Sequence, residues 1–187
     1  GFATSDKVTE ALALVATDVR RGEVYRLFTY MFLHGGFAHI FFNMWGLYLF
    51  GSMLEPRIGS SRFFNLYFIS GLCGAGLWMA SNWNSSMPCL GASGAVSGII
   101  IAAAMFYPDV MIMMIIPPVP MKLKTFAVVF LVLEIVFELT GSMGSIAHLA
   151  HLGGFLGGYL YIRLIYKNEV WDIFSFLYSK KKKAMYT

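Results

Sequence analysis

At 187 residues, 58% of them hydrophobic and 13% charged, the chain has room for one domain and is too apolar for a soluble fold of that size. A mean hydropathy of +0.66 points to a membrane protein. Two cysteines, Cys73 in an apolar run and Cys89 in a polar one, exclude a disulfide framework or a Cys-rich zinc site and read as packing residues. Residues 1–23 mix charges without a long apolar core, so no signal peptide is predicted there. Residues 7–24 surround a short apolar patch at 11–16, well under the ~20 residues a span requires, and read as a loop or interfacial helices. The first predicted span is 36–54, entered through Arg26 and the apolar stretch 27–33. A charged turn follows at 55–62, then a second span at 63–80, rich in glycine and aromatics.

The third span is predicted at 91–107, and a short interfacial apolar piece at 110–116 is stopped by Pro117-Pro118-Val119-Pro120. Spans four and five fall at 123–139 and 146–166. The tail, 167–187, carries a lysine run at 180–183 that reads as anchorage on anionic lipid, not as a nucleic-acid site. The expected fold class is therefore all-α: a polytopic membrane helix bundle with about five spanning helices. It is read as one domain over 1–187, with an outer or interfacial segment at 1–26, a helical core at 27–166 and a tail at 167–187. The first residue is Gly1 rather than Met, so the chain is read as a processed or trimmed product with room for a further span upstream.

Charge placement sets the expected orientation. Arg57 and Arg62 lie between spans one and two, Lys122 and Lys124 between three and four, and Arg163, Lys167 and the lysine run at or after the end of five. The alternate loops, 81–88 and 141–145, have no charged residue. The positive-inside rule then puts the C-terminus and both charged turns in the cytoplasm and the neutral loops outside. The segment before residue 36 also lies outside, its four basic residues through Arg26 matched by four acidic ones.

This orientation gathers the polar groups. Ser93 opens span three from outside, within the run Leu90-Gly91-Ala92-Ser93-Gly94-Ala95-Val96-Ser97-Gly98. His39 and Asn43, four apart and so on one face, lie near the outer start of span one, and His148 and His151 near the outer start of span five. With His34 just before span one, every histidine shares one half of the bilayer, where polar groups are costly and mark function or mutual pairing. Small residues around a serine can mean helix packing alone. A serine at a helix N-terminus can also be a nucleophile, its developing oxyanion favoured by free N–H groups. The stripe His151, Gly154, Gly158 on span five and the pair Gly94, Gly98 on span three favour the second reading. Two glycine faces in contact would bring His151 within reach of Ser93, and a serine needs such a base. Asn43 taken alone reads as interhelical glue, and His148 as a structural polar residue. Glu134 and Glu138 could orient a histidine, but pairing within the bundle or protonation explains them as well and is the reading taken. Met111–Met114 and the aromatic runs read as packing.

With these residues assembled, the chain resembles the rhomboid family of intramembrane serine proteases. The resemblance rests on His34-Gly35-Gly36-Phe37-Ala38-His39-Ile40-Phe41-Phe42-Asn43, on Gly91-Ala92-Ser93-Gly94, and on Ala147-His148-Leu149-Ala150-His151-Leu152-Gly153-Gly154. Tyr25-Arg26 and Glu55-Pro56-Arg57 also match, whereas the soluble G-x-S-x-G elbow does not, because Ala95 takes its last position. The resemblance implies a Ser–His dyad without an acidic third member, with Ser93 as nucleophile and His151 as base and then acid. It implies an oxyanion held by the Ser93 N–H with the side chains of His39 and Asn43, and structural or ancillary parts for His34, Gly91, Gly94, Gly154, Arg26 and Glu55. It implies a water-filled cavity open to the outside, capped by the loop 141–145. Substrates would be single-span membrane proteins cut near the outer end of a locally unwound helix, in a bacterial-type cell membrane, with no cofactor and no metal. Two departures stand out. The family core has six spans, so the first is expected upstream of Gly1. Ser97 stands where many relatives carry an aromatic that packs on the catalytic histidine, so His151 is expected to be less firmly held. The rivals are an inactive relative that binds membrane helices, and a membrane metal protein. The second lacks an H-E-x-x-H pair and a carboxylate in phase with His151.

Overall fold

The computed structural model describes residues 6–113, 118–141, 147–167 and 169–173. Helices dominate, as the apolar periodicity requires. In order they are α1 (Asp6–Leu12), α2 (Ala16–Arg20), α3 (Arg26–Thr29), α4 (Phe37–Ile58), α5 (Ser60–Ser81), α6 (Ser93–Phe106), α7 (Leu123–Thr140) and α8 (His148–Tyr166), with a 3₁₀ turn at Tyr30–Phe32. Among them α4 and α5 are long and apolar enough to cross a membrane by length and composition.

The middle of the bundle is α6. Every residue from Gly94 to Met105 is buried, against α4, α5, α7 and α8. At 14 residues it is about 21 Å long, whereas the 22-residue α4 and α5 reach about 33 Å. A helix this short falls well short of the span of its two longest neighbours. Gly154 and Gly158 of α8 let that helix close on α6: a side chain on Gly154 would overlap the Gly94 carbonyl oxygen, and one on Gly158 would sit 2.5 Å from Gly98 Cα. Backbones approach this closely only where neither carries a Cβ. The expected contact between the two glycine stripes is therefore present.

Three local readings are corrected. The charged stretch 55–62 is not a loop: α4 runs through Pro56 to Ile58, and Gly59 alone, at φ 81°, turns the chain into α5. Pro56 lies in the last turn, so the one backbone bond it forfeits is near an end. The Gly59 N–H closes on the Glu55 carbonyl at 2.8 Å, and Ser60 Oγ donates to Glu55 Oε1 at 2.7 Å. Residues 27–33 are not the entry of the first span, since Arg26–Phe32 forms its own short helix and 3₁₀ turn. The apolar piece at 110–116 contributes a strand, β1 (Met111–Met113), antiparallel to β2 (Pro120–Lys122), which adds a two-stranded ribbon to an otherwise helical fold. Residues 114–117, 142–146 and 174–187 lie outside the described residues, and with them the lysine run and all but Gly141 of the expected cap at 141–145.

The N-terminal segment is fastened to the loop ahead of α6. Leu14 and Cys89 exchange backbone hydrogen bonds at 2.9 and 2.8 Å, and the Gly91 N–H donates to the Tyr30 carbonyl at 2.9 Å. Arg26, 5% exposed, holds the segment together by donating to the Glu10 and Ala13 carbonyls at 2.8 and 2.7 Å and pairing with Glu23 at 2.7 Å. Burial beneath this segment pushes the Cys89 thiol up to about 12.

Candidate active site

Ser93 is the first residue of α6, and Ala92 before it offers no side-chain cap. The N–H groups of that first turn therefore have no carbonyl within the helix to bond. Gly91, at φ 129°, makes the sharp entry, in a backbone region that a side chain disfavours. Its missing side chain matters for space as well. A Cβ there would lie 2.7 Å from His39 Nε2 and 3.5 Å from Ser93 Oγ, so the void that Gly91 leaves is bordered by both groups.

His151, on the first turn of α8, brings Nε2 to 2.7 Å from Ser93 Oγ. This is hydrogen-bond distance for proton transfer, across the glycine contact between the two helices. On α4, His39 Nδ1 accepts from the Gly35 N–H at 3.3 Å, which leaves Nε2 as the protonated, donating nitrogen. Asn43, one turn on and buried, gives one amide N–H to the His39 carbonyl at 2.9 Å and has a second to offer. His34 is buried with its ring 5.1 Å from that of His39. Burial, with His39 alongside, depresses its basicity and favours a neutral imidazole. One cavity of about 1150 Å³ joins these groups: Gly35, His39, Asn43, Ser93, Phe130 and His151 all line it. Ser97 does not reach His151; its Oγ donates to the Ser93 carbonyl at 2.8 Å, the back-bond expected of a helical serine.

The expectation that no carboxylate stands in phase with His151 is overturned. Glu134 Oε2, on α7, lies 2.6 Å from His148 Nδ1 and 2.9 Å from His151 Nδ1. The first contact is an aligned hydrogen bond. The second is close enough for an ion pair but off the line of a straight bond, so His151 Nδ1 has no partner by strict angular criteria. A small turn of either side chain would align it. A phenyl ring beside His151 comes from α7 instead of position 97: Phe130, one turn before Glu134, has its ring centroid 6.3 Å from that of the imidazole. Phe130 went unnoticed in the sequence, although Phe126, Phe130 and Glu134 form a stripe at helical spacing. Ligand atoms of Glu134, His148 and His151 lie within 4.8 Å of one another, which makes this the group among the described residues that could hold a cation. Of the remaining candidates, Gly94 and Gly154 meet in the α6–α8 contact, while Arg26 and Glu55 stand apart from the cavity and brace the N-terminal segment and the α4–α5 turn.

The fold thus joins a serine and an imidazole in one cavity within a helical membrane bundle. The rhomboid domain family matches residues 21–168. RHOMBOID-like protein 5 of Arabidopsis thaliana is 35% identical over 142 residues, covering 75% of this chain and 44% of its own. Rhomboid protease GluP of Bacillus subtilis is 32% identical over 142 residues, 75% of this chain and 26% of its own. Rhomboid-like protease 1 of Toxoplasma gondii is 31% identical over 163 residues, 82% of this chain and 51% of its own. The chain thus spans about a quarter to a half of the length of these relatives. It belongs to the rhomboid family.

Proposed function

We propose that the chain is an intramembrane serine endopeptidase that cleaves single-span membrane proteins near the outer end of their transmembrane helix. The observation that carries this reading is the 2.7 Å contact between Ser93 Oγ and His151 Nε2 within a cavity of about 1150 Å³. Ser93 attacks the scissile carbonyl as His151 takes its proton, and His151 then returns that proton to the leaving amine. The oxyanion develops in the void left by Gly91, where the Ser93 N–H, His39 Nε2–H and the spare Asn43 N–H can converge. A helical substrate hides its carbonyls in backbone bonds, so only a locally unwound stretch can enter. Water then attacks the acyl-enzyme while His151 takes its proton, and His151 returns that proton to Ser93 Oγ as the new carboxyl terminus leaves.

Arg57, Arg62, Lys122, Lys124 and Arg163 belong to the helix ends and turns opposite that of Ser93. By the positive-inside rule they support a cytoplasmic C-terminus and an outward-facing site. The test is cleavage of a single-span substrate in detergent by the wild type and by Ser93→Ala, alongside labelling by a fluorophosphonate. Cleavage and labelling that vanish together in Ser93→Ala support the reading. Substrate capture without cleavage by the wild type would identify an inactive, helix-binding relative instead.

A further inference from the structure

We propose that Glu134 is a positioning residue: its carboxylate holds the Nδ1–H of His151 and so fixes the tautomer whose Nε2 is free to take the Ser93 proton. The inference rests on the protease reading and extends the Ser–His pair to a third member on α7.

The argument begins with burial. Glu134 is 7% exposed and His148 4%, inside a bundle where an unpaired carboxylate is not tolerated. An ionised carboxylate only accepts hydrogen bonds, and Glu134 Oε2 meets two imidazole nitrogens, His148 Nδ1 at 2.6 Å and His151 Nδ1 at 2.9 Å. Both nitrogens must then carry hydrogen. For His151 this leaves Nε2 as the acceptor, and Nε2 is the atom 2.7 Å from Ser93 Oγ. When His151 takes that proton, the neighbouring carboxylate faces an imidazolium and stabilises it. The imperfect angle suits a resting state, since such bonds often align only in the reacting complex.

One further contact gives Glu134 a fixed place, and a neighbouring ring faces the same imidazole. The aligned bond from His148 secures the carboxylate from the far side, which explains a second histidine three residues before His151 on α8. Phe130, one turn earlier on α7, walls the imidazole at 6.3 Å. One helix thus supplies both the ring and the acid, and Ser97 is relieved of that task.

The same three residues could be imagined around a metal ion. Ligands on a tetrahedral zinc stand about 3.3 Å apart, given Zn–N and Zn–O bonds near 2.0 Å. The separations of 2.6 and 2.9 Å are shorter and fit hydrogen bonds.

The experiment compares wild type, Ser93→Ala, Glu134→Gln and Glu134→Asp on a single-span substrate in detergent, with kcat and KM measured separately and unfolding temperature recorded. Glutamine keeps the shape but removes the charge, so kcat is expected to fall ~100-fold or more with KM little changed. Aspartate keeps the charge and should recover part of that loss. Should Glu134→Gln fail to fold, Glu134→Asp decides alone: a loss of about tenfold in kcat at unchanged KM supports the inference, because the shortened arm misplaces the acid. A wild-type kcat in Glu134→Gln or, in that case, in Glu134→Asp overturns it, as does a rise in KM alone. Loss of wild-type cleavage on adding a chelator also overturns it, by making Glu134 a metal ligand. Undiminished cleavage by Ser93→Ala would instead refute the protease reading itself.

Discussion

Gly154→Ala tests whether the α6–α8 contact governs the chemistry. The added methyl would overlap the Gly94 carbonyl oxygen and lie 2.5 Å from the Gly94 carbonyl carbon, where ordinary contact begins at 3.4 Å. Both atoms are backbone, so no side chain can swing aside and the helices must part by at least about 0.9 Å. Gly94 follows Ser93 directly, and Gly154 lies one turn from His151. A parting of that size stretches the 2.7 Å contact between Oγ and Nε2 toward about 3.6 Å, beyond a hydrogen bond. Misplacement by ~1 Å is worth about 100-fold in rate, and overpacking of this kind costs roughly 1–3 kcal/mol in stability. Cleavage rate and unfolding temperature of the detergent-solubilised variant read the two effects. Gly76→Ala is the control, because a methyl there meets nothing within 4 Å. If Gly154→Ala cleaves and unfolds like Gly76→Ala, close backbone contact does not set the serine–imidazole distance.

Other outcomes are equally open to measurement. His151→Ala should abolish cleavage while His148→Ala leaves a measurable fraction; equal loss would mean the base is misassigned. Arg26→Ala removes the donor to the Glu10 and Ala13 carbonyls, and should lower stability by about 1–3 kcal/mol in thermal or denaturant unfolding. Cys89 should resist a maleimide at pH 8 in the folded protein and react once the chain is unfolded in detergent, read in a Cys73→Ser background. Hydrogen bonds from Lys124 and Lys122 hold the Asp109 carboxyl at about 2, below the 3.8 of a free aspartate. A depressed value means stability that is present above pH 3.8 and lost as pH falls toward 2, so Asp109→Asn should flatten the unfolding temperature across that window.

The glycine stripes made the α6–α8 contact legible in advance, since a His above Gly154 and Gly158 and a Ser beside Gly94 have only one close way to meet. The shared face of His39 and Asn43 was legible for the same periodic reason. Glu134 was not. A membrane helix such as α7 is apolar on nearly all sides, so its own periodicity says little about which face turns to α8. The stretch 55–62 misled because its charges read as the end of a span, yet α4 carries Glu55, Pro56 and Arg57 in its last turn. The strand at Met111–Met113 was hidden because three apolar residues carry no period.

The brevity of α6 has a further consequence under the proposed function. A helix about 9 Å shorter than the ~30 Å hydrocarbon layer delivers its first residue to a set depth, so the count of residues in α6 acts as a ruler. Lengthening it by one turn after Ser93 would carry the hydroxyl about 5 Å toward the headgroups and move the scissile bond outward along a substrate by a similar step.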